Sequence, residues 1–423
     1  MFKNQIKKYM PISLWKSLGN TKLSIISLKT NILLKLGKSD FKFLNFVIRN
    51  RSKKIIWMDS LPPDFVFVDS ENINVYKPKY LEPQRFLNVQ KPQICLYEFK
   101  NAKVHNESSH ILLKNSVIME RLPHISLKNC NYSTGFIIGH DDTISLVKNF
   151  DNIVNVDKAF FLGGNGSWNY YHWSIEIIVK LKYFLSIESI DKSMKIILPD
   201  YAKNIPSFSS MLEILIGDRF PLIYICNNQL AQVERLYVIN TPSNIVFNSR
   251  NNFILDADAS YFDKNSIDFL RNKVISSTQY KKSLENSKIK FKSKKIFLAR
   301  KENSLRNYNQ IEVIDLVKKF GFSPIFLEEL SFLEQIYVFQ NSDFIIGASG
   351  AAWTNLIYVK KGMKAISWLG NNSHSFPSYS TLASYYGCNL TFFKCNVFNQ
   401  EDLHSNYSVN LDILEGLIKK ITS

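Results

Sequence analysis

A glycine-rich segment followed by an apolar helix contains the first side chains able to move a proton. Its sequence is GGNGSWNYYHW over residues 163–173, and His172 falls in the first turns of the expected helix. At 3.6 residues per turn, His172, Glu176 and Lys180 lie on one polar stripe beside a broad apolar face. The stripe either faces a cleft or is an ordinary solvated face with a weak Glu176–Lys180 pair.

Two arginines follow a strand-like run in the sequence FLARKENSLRNYNQ. Arg300 ends the strand, and Arg306 stands just before a helix that Asn309 is expected to cap. If both guanidinium groups converge at the carboxyl end of the strand, they match the oxygens of a phosphate bidentately. The alternative is a pair of surface arginines whose apolar stems lie on the protein.

A run of small residues follows another buried strand in IIGASGAAWTN, residues 345–355. Ser349, Gly350 and Ala351 let a ligand approach the main chain closely, and the N–H groups at the start of the next helix attract an anion. Close packing of the strand against the helix is the alternative reading of the same small residues.

Three other patterns are weaker. The glycines of Gly164-x-Gly166-x-x-Asn169 lack the third glycine of a dinucleotide loop, which argues against a dehydrogenase. Asp256 and Asp258 resemble the DxD pair that binds a divalent metal in some glycosyltransferases, but they lie in the stretch between two predicted series of alternating strands and helices. No HxxxH or HExxH spacing occurs among the remaining histidines, which are His105, His110, His124, His140, His374 and His404.

The elements that must position these residues divide the chain into parts. Short strand-like runs occupy about 55–157, and from residue 158 buried strands alternate with helical patterns, which predicts parallel sheets with crossover helices. Ligands of such sheets bind beyond the carboxyl ends of the strands. Ser331 and Glu334 have the spacing of a helix capping box, which favours a structural role for Glu334. The predicted division is a basic amphipathic segment at 1–54, an N-terminal domain at 55–250 (β-rich over 55–157, α/β over 158–250), and a C-terminal domain at 251–423.

Charge is concentrated at the N-terminus. The formal net charge is +17, and residues 1–54 hold thirteen lysines and arginines against Asp40. Interleaved leucines and isoleucines there predict short amphipathic helices, suited to an anionic membrane surface, with a merely solvated basic face as the alternative. No nucleic-acid motif accompanies the charge.

Five scattered cysteines without a CxxC pair argue against a disulfide framework or a zinc site, and we expect a cytoplasmic protein without a transmembrane helix.

Several motifs in this order resemble glycosyltransferase family 61. They are NYYHW, the strand ending LAR with a second arginine nearby, the run GFSPIFLEELSFLEQIYVFQNSDFIIGASGAAWTNLIYV, and the following strand. The similarity covers roughly residues 158–370. It points to the type of the family that includes bacterial capsular polysaccharide biosynthesis enzymes.

The resemblance implies a GT-B-like α/β architecture, with two Rossmann-like domains facing a cleft and a β-rich N-terminal elaboration. It also implies an inverting mechanism, a nucleotide-sugar donor, a glycan or lipid-linked glycan acceptor, and no cofactor or obligatory metal. His172 then orients the acceptor or takes its proton as a general base, with Glu176 as the reserve base. The acceptor contacts are expected at Asn169 and Tyr171. The donor contacts are expected at Arg300, Arg306, Asn309, Glu334, Ser349, Gly350, Ala351, Thr354 and Asn355.

The sequence therefore predicts an inverting, metal-independent glycosyltransferase of cell-surface polysaccharide synthesis, peripheral at the inner face of the cell membrane. Members of the family often have a histidine where this chain has Ser349, which leaves the donor sugar open. Two alternatives remain at this point. One is a metal-dependent transferase that uses Asp256 and Asp258, and the other is a non-catalytic glycan-binding assembly protein.

Overall fold

The computed structural model describes residues 51–80, 82–120, 131–188, 190–245, 257–286, 293–301, 305–371, 376–400 and 405–423. The amphipathic helices predicted before residue 51 lie outside this range. So do Asp256 and three of the histidines considered above, which are His124, His374 and His404.

Most of the N-terminal half forms one large sheet. Among the described residues it contains β1 (Ser52–Trp57), β2 (Phe65–Val68), β5 (Ile94–Val104), β6 (Ile111–Leu112), β7 (Ser116–Met119), β8 (Ile137–His140), β9 (Ile144–Val147), β10 (Asn152–Phe161), β11 (Lys195–Pro199), β12 (Leu222–Ile225) and β13 (Gln229–Ile239). The strand order is β12-β11-β10-β13-β5-β6-β7-β1-β9-β8, and β2 pairs with β5.

This sheet joins the β-rich part to the α/β part. Strands β10 to β13 pair in parallel, as the alternation of strands and helices predicts. Strand β13 then pairs antiparallel with β5 over eight registered residue pairs, so the two parts share one continuous sheet. Two small antiparallel pairs lie outside it, namely β3 (Glu71–Tyr76) with β4 (Phe86–Lys91), and β14 (Asn244–Ile245) with β15 (Ser260–Tyr261).

The second sheet belongs to the C-terminal half. Its strands are β16 (Lys295–Ala299), β17 (Ser323–Phe326), β18 (Phe344–Ala348), β19 (Lys364–Gly370), β20 (Asn389–Val397) and β21 (Tyr407–Ser408). The strand order is β17-β16-β18-β19-β20-β21. All neighbouring strands pair in parallel except β20 and β21, which pair antiparallel. Runs such as FIIGA are almost entirely buried, as expected for parallel strands covered by helices on both faces.

The helices surround these sheets. They are α1 (residues 170–184), α2 (Pro206–Leu215), α3 (Lys264–Ser276), α4 (Thr278–Asn286), α5 (Gln310–Lys319), α6 (Phe332–Asn341), α7 (Ser378–Tyr385) and α8 (Leu411–Thr422). Helices in 3-10 geometry occur at Met58–Ser60, Asp200–Lys203, Ala257–Ala259, Leu327–Glu329 and Ala351–Tyr358. None of the described helices is both long and apolar enough to cross a membrane.

The two halves share a hydrophobic core. One buried cluster runs from α1 and α2 through α3 to the 3-10 helix Ala351–Tyr358 and α7, so it includes apolar side chains from both sheets. A separate cluster lies on the other face of the second sheet, beneath α5 and α8. The buried Lys91 Nζ, 2.9 Å from Asp263 Oδ1, fastens the pair β3–β4 to the start of α3. The chain is therefore an α/β protein whose halves are tied by helices from both.

Three features of local structure complete the fold. The segment 241–292 connects the two halves and contains α3 and α4, and α3 packs against helices of both halves. Strand β20 and helix α7 were not foreseen, although both belong to the second sheet and its cover. The capping box at Ser331 and Glu334 is present at the start of α6.

Candidate active site

His172 and Glu176 form a hydrogen-bonded pair in α1. The Nδ1 of His172 lies 2.7 Å from Oε2 of Glu176, and the other carboxylate oxygen accepts a hydrogen bond of 2.8 Å from the main-chain N–H of Ile245. Both side chains are buried. A carboxylate at Nδ1 favours the tautomer with its proton on that nitrogen, which makes Nε2 the basic nitrogen.

The glycine-rich segment before α1 shapes the space around this pair. Gly166 has a φ of +69°, and a Cβ on it would lie 2.9 Å from Cδ2 of His172. Only glycine permits both the left-handed backbone and this close approach of the imidazole. Asn169 caps α1 through a 2.8 Å bond from the N–H of Tyr171 to its Oδ1.

Helix α1 is irregular where it holds the pair. An α-helical turn at Tyr170–His172 is followed by π-helix at Trp173–Ile177, a 3-10 turn at Ile178–Lys180 and an α-helical turn at Leu181–Phe184. π-helical turns are rare and frequently occur at functional sites. This change of helical geometry comes directly after His172 and includes Glu176.

Of the two readings of the polar stripe, the solvated face is wrong. His172, Glu176 and Lys180 are all buried, because helices of both halves cover α1. Burial lowers the pKa of Lys180, and the carboxylates of Glu120 and Glu176 act in the opposite direction. The stripe therefore belongs to the interior of the protein.

Arg300 stands where β16 ends and reaches the end of β18. Its guanidinium donates a hydrogen bond from Nη2 to the main-chain oxygen of Ser349. A Cβ on Gly350 would lie only 2.8 Å from the same nitrogen, so the guanidinium occupies the space that a side chain would need. With β16 taken as the first strand, the five parallel strands follow the order 2-1-3-4-5, in which β16 and β18 flank the point where the winding reverses. Ligands of open α/β sheets bind at this point.

Gln310 holds the main chain of Arg300 in place. Its Oε1 accepts from the Arg300 N–H and its Nε2 donates to the Arg300 oxygen, both at 2.7 Å. The Tyr308 hydroxyl adds a third contact to Oε1 at 3.0 Å. Sequence reasoning missed Gln310, because nothing in a single sequence reveals that the first residue of α5 turns back on the strand before it.

Arg306 is half-buried and has an unusual backbone conformation. Its φ is +64°, and its Nε has no hydrogen-bond partner. Among the residues that the structure describes, no carboxylate lies within ion-pair distance of either Arg300 or Arg306. Burial, and then the neighbouring charge of Arg300, lower the pKa of Arg306. A half-buried cation that has no carboxylate partner in the described structure and is held in the left-handed region is costly, and it is suited to receive an anion.

The segment after β18 adds main-chain donors beside Arg300. The first hydrogen bond of the 3-10 helix runs from the Trp353 N–H to the Gly350 oxygen at 3.0 Å, so the N–H groups of Ala351 and Ala352 precede it. The Ser349 N–H is already bonded to the Trp368 oxygen at 3.1 Å. The expected ordinary helix is thus a 3-10 helix whose start faces the end of β16.

Aromatic rings connect the arginines to the histidine. The ring of Tyr379 lies 5.9 Å from that of Tyr171, which in turn lies 5.4 Å from the imidazole of His172. Burial raises the pKa of Tyr379, and the charges of Arg306 and Arg300 oppose that rise. The Tyr379 hydroxyl therefore lies in the field of both arginines, and the two groups of candidate residues adjoin one another.

Other predicted contacts are already occupied by the protein. Asn309 does not cap α5 with its side chain, which instead bonds both main-chain groups of Val409, at 2.8 and 3.2 Å. Asn355 accepts from the Tyr170 hydroxyl at 2.6 Å and donates to Gln335 at 3.3 Å, which links the two halves. These contacts favour structural roles for both asparagines.

The remaining predicted site residues differ in their hydrogen bonding and exposure. The Oε2 of Glu334 accepts from the Ser331 N–H at 2.8 Å. Thr354 is buried, and its hydroxyl has no partner among the described residues. Asp258 is exposed in a 3-10 turn, whereas its DxD partner lies outside the described residues. No cluster of three potential metal-binding side chains occurs in the described part of the chain.

Comparison with known proteins places these residues in a family. The family model described as Glycosyltransferase 61 matches residues 170–366, which begin at α1, include His172, Glu176, Arg300 and Arg306, and end in β19. A search of curated proteins finds no match. Residues 170–366 therefore match glycosyltransferase family 61, and this match supports a glycosyltransferase enzyme.

Proposed function

We propose that this glycosyltransferase is an inverting, metal-independent enzyme of the GT-B type, which moves a sugar from a nucleotide-sugar donor to a glycan acceptor. The observation that carries the proposal is that Arg300, at the ends of β16 and β18, is close enough for its charge to act on Arg306, while neither arginine has a carboxylate partner among the described residues. Two fixed guanidinium groups suit a diphosphate, which carries several negative charges and planar sets of oxygens.

The arginines would act on the leaving group. As the bond between the anomeric carbon and the diphosphate oxygen breaks, negative charge grows on the nucleoside diphosphate. Arg300, Arg306 and the N–H groups of Ala351 and Ala352 would stabilise that charge, which is the contribution a divalent metal makes in other transferases. No cofactor besides the nucleotide sugar is part of this proposal.

His172 would act on the acceptor. An acceptor hydroxyl attacks the anomeric carbon from the face opposite the leaving group and inverts its configuration, while the hydroxyl proton passes to Nε2. Glu176 would hold the ring and stabilise the imidazolium, as its 2.7 Å contact with Nδ1 supports. Because both side chains are buried, the dielectric around them is low, which strengthens that stabilisation.

We further propose that the enzyme acts in synthesis of a capsular or other cell-surface polysaccharide, at the inner face of the cell membrane. The support is the excess of basic residues over 1–54 in the sequence, which suits anionic lipid. An acceptor that is a glycan or a lipid-linked glycan agrees with that setting.

A panel of nucleotide sugars in EDTA tests the proposal. We expect one donor to be bound and turned over, with inverted configuration at the anomeric carbon by NMR. Arg300→Ala should weaken binding of the nucleoside diphosphate at least 100-fold, whereas the adjacent exposed Lys301→Ala should not change it. Strict Mn²⁺ dependence with an inactive Asp258→Ala would instead support the DxD mechanism. Retention of configuration would refute the proposed displacement.

A further inference from the structure

We propose that a cleft on the first sheet, away from the candidate active site, is a second binding site that holds a neutral oligosaccharide. The cleft has a volume of about 870 Å³, within the usual range for ligand sites of roughly 300–1,000 Å³. Its floor is formed by β5, β10 and β13, and its wall by residues 147–151. Binding here does not depend on the proposed transfer mechanism.

The strand register aligns polar side chains across the floor. Asn155 of β10 is opposite Gln232 of β13, and Gln232 is opposite Lys103 of β5. Because neighbouring strands lie about 4.8 Å apart, this row spans nearly 10 Å. Two residues further along, Asp157 and Glu234 point to the same face. In the described structure, Asn155, Lys103 and Glu234 have no side-chain hydrogen-bond partner.

The wall of the cleft is fixed. The Phe150 ring packs 5.2 Å from the His105 ring, and the Lys148 N–H donates to the Phe136 oxygen at 2.8 Å. The Lys148 ammonium lies 5.0 Å from the centre of the Phe150 ring. A ligand would therefore enter a preformed cleft and would not need to order this segment, which reduces the entropic cost of binding.

The chemistry of the lining indicates the ligand class. Four lysines, four carboxamides and three carboxylates line the cleft, so its surface offers both hydrogen-bond donors and acceptors. Sugar hydroxyls donate and accept at once and can satisfy both kinds of group. A polyanion such as a nucleic acid would meet the carboxylates of Asp151, Asp157 and Glu234, although Asp157 is paired with Lys195. We therefore infer a neutral glycan.

The cleft is separate from the transfer site. Asn155 precedes the carboxyl end of β10 at Phe161 by six residues, about 20 Å along the strand, and α1 with His172 follows that end. A glycan in the cleft would be held at a distance from the reacting sugar. This arrangement would retain a growing chain between transfers.

Calorimetric titration of the full-length protein with maltohexaose, cellohexaose, chitohexaose and hyaluronan hexasaccharide tests the inference. We expect at least one neutral hexasaccharide to bind with a Kd of about 1 mM or tighter, without any nucleotide. The double variant Asn155→Ala/Gln232→Ala should weaken that binding at least tenfold. Asn152→Ala, an exposed asparagine on the same strand outside the cleft, should bind as the unaltered protein does.

Two further variants separate loss of glycan binding from misfolding and from loss of donor binding. Asn155→Trp should block the cleft even if the double variant fails to fold. In the Arg300→Ala background, hexasaccharide binding should persist, which separates this inference from the proposed donor site. The inference is overturned if no neutral hexasaccharide binds, if hyaluronan alone binds, or if the double variant and Asn155→Trp bind as the unaltered protein does.

Discussion

The guanidinium of Arg300 is bonded to the main-chain oxygen of Ser349, so the carboxyl ends of β16 and β18 are joined by a cation. This contact explains why small residues follow β18. A side chain at residue 350 would occupy the space of the Arg300 Nη2. The small-residue run is therefore needed for the arginine as well as for any ligand that the arginine binds.

Gly350→Ala should weaken binding of the nucleoside diphosphate about tenfold, or about 1.4 kcal/mol. The backbone at Gly350 is extended, with φ near 174°, so alanine fits the conformation and the effect comes from displacing Arg300. Calorimetric titration in EDTA measures it.

Gly416→Ala is the matched control. A Cβ there meets nothing within 4 Å in helix α8, so the variant should gain roughly 0.5–1 kcal/mol of unfolding free energy and bind nucleotide normally. Unchanged affinity in Gly350→Ala would contradict the role given to the Arg300 contact.

Arg306→Gly should raise the free energy of unfolding by about 1–2 kcal/mol while abolishing tight binding of the nucleoside diphosphate. Glycine relieves the left-handed φ of +64° and removes a half-buried guanidinium whose Nε has no hydrogen-bond partner. Chemical denaturation and calorimetric titration measure the two effects separately.

Asn101→Gly serves as the comparison, because Asn101 also has a positive φ, of 51°. It should leave nucleotide affinity unchanged. If Arg306→Gly instead lost stability and kept its affinity, Arg306 would be a packing residue.

The sequence predicted the strand ends well, and the reason is physical. Buried parallel strands are continuous apolar runs, so Arg300 and Ser349 stand out as the first polar residues after KIFLA and FIIGA. The alternation of strands and helices then predicts parallel pairing, which brings such ends to one edge of a sheet. The direct contact between the two residues depends on strand order, which the sequence does not contain.

The sequence did not predict features of the site that depend on residues distant in the chain. Asn309 has the residue type and position of a helix cap, but Val409, 100 residues later, offers both of its main-chain groups. Lys180 falls on a polar stripe by helical spacing, yet both halves of the protein cover α1. The π-helical turn at Trp173–Ile177 has no signature in residue type. Tertiary contacts decided each of these cases.

Glu176→Gln should lower kcat about 100-fold with little change in donor Kd. The glutamine oxygen can still accept from the Ile245 N–H, but its amide N–H₂ then faces Nδ1 of His172 and favours the wrong tautomer. Steady-state kinetics over a range of pH measure the effect, with the exposed Glu213→Gln as control. Equal losses in donor binding and turnover would show that Glu176 only supports the fold.

His110 should make stability depend on pH below neutrality. It is buried, its ring nitrogens lack hydrogen-bond partners among the described residues, and burial lowers its pKa to about 3. The unfolded chain, with a pKa of about 6.5, therefore binds a proton first as the pH falls. The stabilising contribution is complete above pH 6.5 and is lost towards pH 3, by about 2 kcal/mol between pH 6.5 and 5.

His110→Leu should flatten this slope, because the variant has no proton to bind at that position. Denaturant unfolding at pH 7.5, 6.5 and 5 measures it, and the slope separates the two effects of the substitution. Any loss of packing lowers the free energy of unfolding equally at each pH, whereas the protonation effect grows only as the pH falls. A slope in His110→Leu as steep as in the unaltered protein would assign the acid sensitivity to other groups.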